Sequence, residues 1–438
     1  MKRLLLSLAA MPLILGGMSV SASADDGFNV LNNVKFNGEI RPRYEYADIK
    51  NNGKDAANAF TVRTTLGVGA DLLQVNGLST YLEVTSVNNF GDRNYNGTID
   101  GNTKYDVIAD PQQARMTQAY LDYKINKTLI RAGRQMVNLD NQRFIGAVGW
   151  RQMFQTYDAV AVVDNTINNL SLLGAYVYGI NGVKNESFLP LANLSAAGLT
   201  NNEAYDTSSV LLHASYKAMN ELTVTAYDYM LASLHDTYGA ALTGNVDAGV
   251  AKLDYRGEYA KQGDASLERR SQAGANPVGG INGKPKADAY YYNLDVGANV
   301  SGVLAGINYE VLSGSTGTDG KTAFQTPLAT GHAFNGWADM FLSTPTGGLK
   351  DANARLGYTN KSFGKLLGVY HQFTADKKMA GKDDLGTEFD VSYENKIPGV
   401  NNLTGLVKYA AYNKGKVATF TNDKTVAWLM LDYKFATK

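Results

Sequence analysis

The sequence has no cysteine, only 9 prolines among 438 residues, and no net charge. Without cysteine, a disulfide scaffold, a thiolate metal site and a cysteine nucleophile are all excluded. The 41 basic and 41 acidic side chains balance, so composition gives no argument for nucleic acid as a partner. After residue 24 no segment approaches 18 consecutive apolar residues, which excludes a transmembrane helix in that part of the sequence.

Residues 1–24 have the pattern of a cleaved secretory signal peptide. Lys2 and Arg3 precede a short apolar run at 4–15, and the small residues 22–24 supply the cleavage pattern. The run is too short to span a bilayer. A retained N-terminal anchor is the alternative. We expect residues 25–438 to form a single domain.

Tyrosine and glycine are abundant, with 27 and 45 residues. Tyrosine suits a boundary between apolar and aqueous surroundings because its ring is apolar and its hydroxyl is polar.

Alternation of apolar and polar residues with a period of two is stronger evidence for the fold than composition is. Between residues 34 and 46 one parity is mainly apolar, while the other places six polar or charged side chains on one face: Lys35, Asn37, Glu39, Arg41, Arg43 and Glu45.

The same alternation recurs around 60–72, 118–125, 252–259, 290–300, 387–394 and 427–435. Several of these segments reach the length of about 9–11 residues that a tilted strand needs to cross a bilayer. Short turns alternate with longer loops, as in bacterial outer-membrane barrels. We therefore predict an all-β fold, a transmembrane antiparallel barrel of 16 or 18 strands. About 17 strands can be counted, and we favour 18 because single-chain bacterial barrels have even strand numbers.

Three stretches carry a family resemblance. They are Gly133-Arg134-Gln135 continuing through 141–159, then 324–339, and Gly386-Thr387-Glu388-Phe389-Asp390. The sequence resembles the alginate-export family of outer-membrane proteins across most of 34–435. This resemblance implies an 18-stranded monomeric barrel in the Gram-negative outer membrane whose lumen conducts a solute, classically an acidic polysaccharide.

The inferred lumen carries charges of both signs, whereas a polyuronate exporter is expected to have an arginine-lined constriction. This difference favours small hydrophilic or mildly charged solutes over alginate. The candidate pore-lining residues on the strands are Glu39, Arg41, Arg43, Arg63, Glu83, Asp122, Asp254, Arg256, Glu258, Glu388 and Asp390.

The loop at 138–156 adds Arg143 and Arg151 to these candidates. Folded into the lumen, it would narrow the pore and set charge selectivity through its guanidinium groups. The alternative is a solvated surface loop. In a second long loop, His332, Trp337 and Asp339 are expected to anchor the loop by aromatic packing and hydrogen bonds rather than to contact solute.

The segment 92–100 resembles the first nine positions of a calcium loop. Its candidate ligands are Asp92, Asn94, Asn96, Thr98 and Asp100, and Gly97 permits the sharp turn. Position twelve is Thr103 rather than the expected glutamate, so a polar surface loop is the alternative. No other cofactor is expected.

An enzyme is not expected, because the four histidines lie in no recognisable nucleophile arrangement and no G-x-S-x-G motif occurs. The leading prediction is a passive outer-membrane channel. The alternatives are a dedicated exporter of an acidic polysaccharide and a loop-plugged barrel that acts as an adhesin or surface structural protein. The expected partners are outer-membrane lipids, the barrel-assembly machinery, which would read the final strand ending in Tyr433 and Phe435, and the transported solute.

Overall fold

The computed structural model describes residues 30–184, 206–267, 286–420 and 422–437. The expected signal peptide lies outside these residues. The described chain contains an 18-stranded antiparallel sheet and one short 3-10 helix, Gly331–Ala333. None of its helical residues form a segment long and apolar enough to cross a membrane. The strands are β1 (Leu31–Ile49), β2 (Ala57–Leu72), β3 (Leu78–Asn89), β4 (Gln113–Ile125), β5 (Thr128–Gln135), β6 (Thr156–Asp164), β7 (Leu170–Asn181), β8 (Asp206–Met219), β9 (Leu222–Leu231), β10 (His235–Asp247), β11 (Lys252–Gly263), β12 (Asp288–Val300), β13 (Val303–Leu312), β14 (Leu349–Asn360), β15 (Gly364–Met379), β16 (Lys382–Lys396), β17 (Leu403–Lys414) and β18 (Lys424–Ala436).

The sheet closes into a barrel because β1 pairs with both β2 and β18. Tyr44, for example, lies opposite Phe60 on one side and Leu429 on the other. Each of the strands β2 to β17 pairs with its two neighbours in sequence. Closure removes the unpaired strand edges that would otherwise expose backbone hydrogen-bonding groups. The prediction of an 18-stranded antiparallel barrel is therefore confirmed.

Pro42 lies in the middle of β1, where a residue without a backbone N–H interrupts pairing. The ladder to β2 is continuous here, with Pro42 opposite Val62. On the β18 side the pairing passes from Ile40 directly to Arg43. The barrel therefore tolerates this proline by a local gap in the ladder at its closing seam.

Side-chain parity separates the two surfaces of the barrel, as the alternation in the sequence predicts. Ile307 and Leu356, on the outward parity of β13 and β14, are each 66% exposed. Glu388 and Asp390, on the inward parity of β16, are 0% exposed. Apolar side chains thus cover the outside of the barrel, while its interior holds charged and polar ones. This distribution is the reverse of that in a soluble protein.

The connections divide between two rims. At one rim, called here the turn rim, the connections are short; they lie at 73–77, 126–127, 165–169, 220–221, 248–251, 301–302, 361–363 and 397–402. At the opposite rim, called the loop rim, the connections that the structure describes in full include 90–112, 136–155 and 313–348. Two loop-rim connections, at 232–234 and 380–381, are as short as turns.

The assignment of outward-facing positions can be tested by placing a charged side chain at one of them. Ile307→Arg is expected to reduce the free energy of unfolding in lipid vesicles by about 2–4 kcal/mol, because it brings a guanidinium into the apolar band. Asn308→Arg is the matched control, since its side chain points inward and should cost much less. Urea unfolding followed by electrophoretic mobility measures both. Equal destabilisation of the two variants would contradict the assigned faces.

Candidate functional site

Two loop-rim connections turn into the barrel and cross its interior. The first inner loop is defined as residues 136–155, between β5 and β6, and the second inner loop as 313–348, between β13 and β14. Arg143 of the first inner loop reaches Glu310 on β13, far around the barrel from β5. Of the two arrangements expected for this loop, the inward one is found. Thr156 belongs to β6 rather than to the loop.

Three wall arginines hold the tip of the first inner loop. Arg41 donates to the carbonyl groups of 149–151 over 2.6–3.1 Å and, through Nε, to Gln152 Oε1 at 3.1 Å. Arg43 donates to the carbonyl of residue 150 at 2.7 Å, and Arg63 to those of residues 149 and 151 at 3.3 and 3.1 Å. A loop inside a barrel leaves its carbonyl groups without sheet partners, and guanidinium groups supply several donors each.

These arginines face the interior, as expected, but the loop covers them. Arg41, Arg43 and Arg63 are only 5%, 1% and 3% exposed. Their hydrogen-bonding capacity is directed at the loop backbone rather than at open water. Sequence parity placed them on the correct face, but it could not show that a loop would lie over them.

Carboxylates neutralise two of these three buried arginines. Glu39 accepts from Arg63 at 2.7 Å, and Glu45 lies 3.1 Å from Arg43. Asp110, in the connection between β3 and β4, also pairs with Arg43. Burial alone would raise the pKa of Asp110, but the nearby guanidinium groups outweigh it and hold the pKa below its ordinary value. Arg43 and Arg63 are therefore paired with carboxylates, and Arg41 is satisfied by hydrogen bonds to the loop, as burial of charge requires.

The second inner loop is held by wall carboxylates rather than by wall arginines. Glu388 Oε1 accepts from the backbone N–H of Ala338 at 2.6 Å, and Asp390 Oδ2 from that of Trp337 at 3.1 Å. Gly336 has φ +83°, and a Cβ there would lie about 2.5 Å from the Glu388 carboxylate. Glycine thus permits both the left-handed backbone and the close approach. Wall carboxylates bind loop amides here, whereas wall arginines bind loop carbonyls in the first inner loop.

Arg143 joins the first inner loop to the far wall and to the second inner loop. Its guanidinium donates to both carboxylate oxygens of Glu310 at 2.8 and 2.9 Å, and to Asn335 Oδ1 at 2.9 Å. Asn335 in turn donates to Glu310 at 2.6 Å. A bidentate, buried ion pair of this kind fixes orientation as well as distance. Arg143 therefore acts as the principal polar clamp at this point.

The two inner loops also bind each other directly. The backbone N–H of Gly146 donates to Leu328 O at 2.9 Å, and that of Thr330 to Gln142 O at 3.0 Å. Arg151 Nη2 lies 2.6 Å from Asp339 Oδ2. These contacts make the two loops one assembly within the barrel.

All three tryptophans of the sequence meet around Lys408 of β17. Its Nζ lies 3.7 Å from the ring centre of Trp337, 4.3 Å from that of Trp150 and 5.5 Å from that of Trp428. A cation over aromatic faces is stabilised by the ring quadrupoles, and more so when desolvated. The tryptophans come from both inner loops and from β18, so Lys408 connects the loops to the wall.

His332 completes this cluster. Its ring stacks on Trp150 with centroids 4.3 Å apart and planes within 3°. Nδ1 lies 2.8 Å from Asp339 Oδ1, and Nε2 lies 2.7 Å from Lys408 Nζ. An ammonium only donates and a carboxylate only accepts, so the ring is neutral with its hydrogen on Nδ1. Burial, together with the Lys408 cation, accordingly lowers the pKa of His332 to about 3. These contacts fit the anchoring role expected for His332, Trp337 and Asp339.

The remaining strand candidates are distributed around the inner wall and are not gathered into one site. Glu83 accepts from Thr117 at 2.7 Å, and Arg256 pairs with Glu258 at 2.8 Å. Asp122 pairs with Arg131 and Asp254 with Arg355. The sequence analysis did not include Glu310 and Lys408 among the candidate pore-lining residues. Each lies between two apolar residues of its strand, so the alternation could have indicated that both side chains face the interior.

The calcium-like segment forms a turn in which two of the candidate ligand oxygens accept hydrogen bonds from backbone N–H groups of the same loop. Asn96 Oδ1 accepts from the N–H of Thr98 at 2.9 Å, and Asp100 Oδ2 from that of Gln112 at 2.9 Å. Asp92 is exposed, and Asn94 pairs through its backbone with Asn58. In the part of the chain that the structure describes, no group of three or more His, Cys, Asp or Glu residues could hold a metal ion. Calcium binding by this segment stays a prediction.

The family described as Alginate export matches residues 32–169 of the chain. This range includes the first of the three stretches noted above, so the resemblance is confirmed there. The stretches at 324–339 and 386–390 lie beyond the matched range. No significant match to a curated protein was found.

Solved structures share the fold over nearly the whole chain. Acinetobacter baumannii OccAB4 is 14% identical with a TM-score of 0.66, covering 93% of this chain and 99% of that one. Pseudomonas aeruginosa OpdL is 13% identical with a TM-score of 0.68, covering 93% and 99%. Pseudomonas aeruginosa OpdK with vanillate is 12% identical with a TM-score of 0.67, covering 93% and 100%. At these identities the comparison establishes the barrel fold.

Removing the Arg143 clamp should loosen the first inner loop. Arg143→Met leaves Glu310 buried without its cation, which typically costs about 3–5 kcal/mol. We expect a larger and noisier single-channel conductance in planar bilayers than for the unaltered protein. The control is Arg131→Met, which breaks a wall ion pair that holds no inner loop. Identical current traces for the two variants would show that Arg143 does not hold the loop in place.

Acidification should weaken the packing of the inner loops. The pKa of His332 is about 3 in the docked state against 6.5 for a free side chain, so the released state binds the extra proton between these values. The contribution of His332 to the free energy of docking should then be constant above about pH 6.5 and fall as the pH decreases towards 3. Because all three tryptophans lie in this cluster, a red shift of their fluorescence measures its opening.

His332→Gln should abolish this pH dependence. His213→Gln should retain it: His213 contacts Asp140 of the first inner loop, so this variant also removes a histidine contact to that loop, but one away from the tryptophan rings. A red shift that survives in His332→Gln would assign the transition to another group.

Proposed function

We propose that this protein is a passive outer-membrane channel for small hydrophilic or mildly charged solutes. The observation that carries the proposal is the pair of inner loops held across a polar lumen by wall arginines on one side and wall carboxylates on the other. Such an arrangement narrows a wide barrel without filling it with a separate apolar domain. Solute size is then limited by the loops, and no catalytic step is involved.

The surroundings of the barrel follow from its two surfaces. The apolar outward parity suits lipid, and the charged inward parity suits water. By the usual layout of bacterial barrels, the turn rim faces the periplasm and the loop rim faces the exterior. The Gram-negative outer membrane is the compartment that fits. Its lipids and its barrel-assembly machinery are the partners that such a chain needs.

The burial and bonding of the interior arginines favour small solutes, rather than an acidic polymer, as the transported molecules. A polyuronate requires a series of accessible cations, but Arg41, Arg43 and Arg63 are buried and bonded to the first inner loop. OpdK was crystallised with vanillate, a small molecule, which agrees with the size of solute proposed here. The match to the Alginate export family keeps polysaccharide export as the second candidate.

A loop-plugged barrel is the third candidate, and one observation favours it. Phe144 of the first inner loop packs against Tyr227 and Tyr291 of the wall, and Phe324 of the second packs against Tyr291, with ring centroids 5.2–5.6 Å apart. This apolar contact seals part of the cross-section near the loop rim. A surface structural protein or adhesin would need the whole cross-section to be sealed.

Three measurements on the purified full-length barrel distinguish these candidates. A channel for small solutes should conduct KCl in planar bilayers and allow liposomes to swell in small sugars, with rates that fall steeply as sugar size increases. Soluble alginate at low concentration should leave the KCl conductance unchanged. Selective block by alginate over a neutral polymer of equal length would indicate the exporter. A folded barrel that neither conducts nor allows swelling would indicate the plugged form.

A further inference from the structure

A recess lies on the inner wall, near the turn rim and away from the inner loops. Its volume is about 520 Å³, within the range of about 300–1,000 Å³ typical of small-molecule sites. Strands β1 to β4 form it. The residues that matter for its chemistry are Lys35, Gly69, Asp71, Tyr81, Tyr120 and Asp122.

The strand register places this recess inside the barrel. Lys35 lies opposite Gly69, Gly69 opposite Tyr81, and Tyr81 opposite Tyr120. Residues directly opposite each other share a face of the sheet. Lys35 and Glu39 are an even number of residues apart in β1, so their side chains point to the same face of the strand. The Glu39 carboxylate binds Arg63 within the interior. The recess therefore opens to the lumen rather than to lipid.

Two tyrosine rings in fixed positions form one side of the recess. The Tyr81 hydroxyl accepts from Asn37 Nδ2 at 2.9 Å and donates to Glu83 Oε2 at 3.0 Å. A side chain at Gly67 would collide with that hydroxyl, at 2.1 Å, so glycine there makes room for the ring. The Arg131 guanidinium lies 3.7 Å from the centre of the Tyr120 ring. Both rings are thus held before any solute arrives.

The charges of the residues that line the recess, taken together with Arg131, cancel. Asp122 forms two hydrogen bonds of 2.7 Å with Arg131, and Asp71 accepts from Asn33 at 2.7 Å. Lys35 is exposed and supplies the second cation. These two cations and two carboxylates give no net attraction for an ion of either sign. They do offer several hydrogen-bond donors and acceptors beside an aromatic wall. A third carboxylate, that of Glu83, is buried and accepts from the Tyr81 and Thr117 hydroxyl groups.

We infer that this recess binds an uncharged, polyhydroxylated ring, that is, a neutral sugar of monosaccharide size. The apolar C–H face of such a ring packs on the tyrosines, and its hydroxyl groups bond to the carboxylates and to Lys35. A carboxylate solute would meet Asp71 and Asp122, and a cation would meet Lys35. The inference rests on the proposed function, since a solute reaches the recess through the water of the lumen.

Saturation-transfer NMR with D-glucose tests this inference on the detergent-solubilised barrel, and acetate serves as the charged probe. Glucose ring protons should receive saturation in a concentration-dependent way, whereas acetate should receive far less. Gly69→Leu should reduce the glucose signal at least several-fold, because its Cβ has room 3.4 Å from Tyr81 and the rest of its side chain fills the recess. Tyr120→Ala should reduce the signal similarly by removing one ring.

Asn308→Leu is the matched control, a small polar residue changed to leucine on the inner wall of β13, and it should keep the full glucose signal. An equal signal from all variants, or a stronger response to acetate, would overturn the sugar site. Binding is measured without conduction, so a barrel that binds glucose but passes no current would contradict the proposed channel alone. A barrel that conducts KCl but gives no glucose signal would contradict the recess alone.

Discussion

The interior of this barrel depends on one constraint: a loop that enters it carries backbone N–H and C=O groups that have no strand to pair with. Leaving such groups unpaired away from water costs free energy, so the wall must supply partners. It does so with groups of complementary polarity. Arg41, Arg43 and Arg63 donate to carbonyls of the first inner loop, while Glu388 and Asp390 accept from amides of the second. The sign of the charge on each part of the wall follows from which backbone group lies against it.

This constraint gives the mixed charge of the lumen a structural origin. A row of arginines along the first two strands would, in an open pore, attract anions strongly. Here Arg63 has Glu39 close by and Arg43 has Glu45, while Arg41 bonds to loop carbonyls and to Gln152. Two of the three arginines are thus paired, because single buried charges would be far more costly than paired ones. The number of charged side chains at inward-facing positions therefore overestimates the electric field that acts on a passing solute.

The fold could be predicted from the sequence because its rules are local. Alternation between neighbours such as Arg41 and Pro42, or Glu388 and Phe389, needs no knowledge of the rest of the chain, and strand length and turn spacing follow in the same way. The site could be predicted only in part. Arg143 could be recognised as a loop cation, but its partner Glu310 lies 167 residues away. Likewise, Arg41 bonds to the carbonyl of Arg151 across 110 residues. Such contacts depend on the path that a long loop takes through the barrel, and no periodicity encodes that path.

The tryptophan cluster explains why the two inner loops must act together. Trp150 belongs to the first loop and Trp337 to the second, and Lys408 lies against both rings. His332 of the second loop stacks on Trp150 and binds Lys408 through Nε2. Withdrawing either loop would take away one aromatic face from the ammonium and expose the other loop's ring. The two inner loops thus share the free energy of docking, because their contacts with Lys408 depend on each other. The width of the opening is consequently a property of the joined loops rather than of the first inner loop alone.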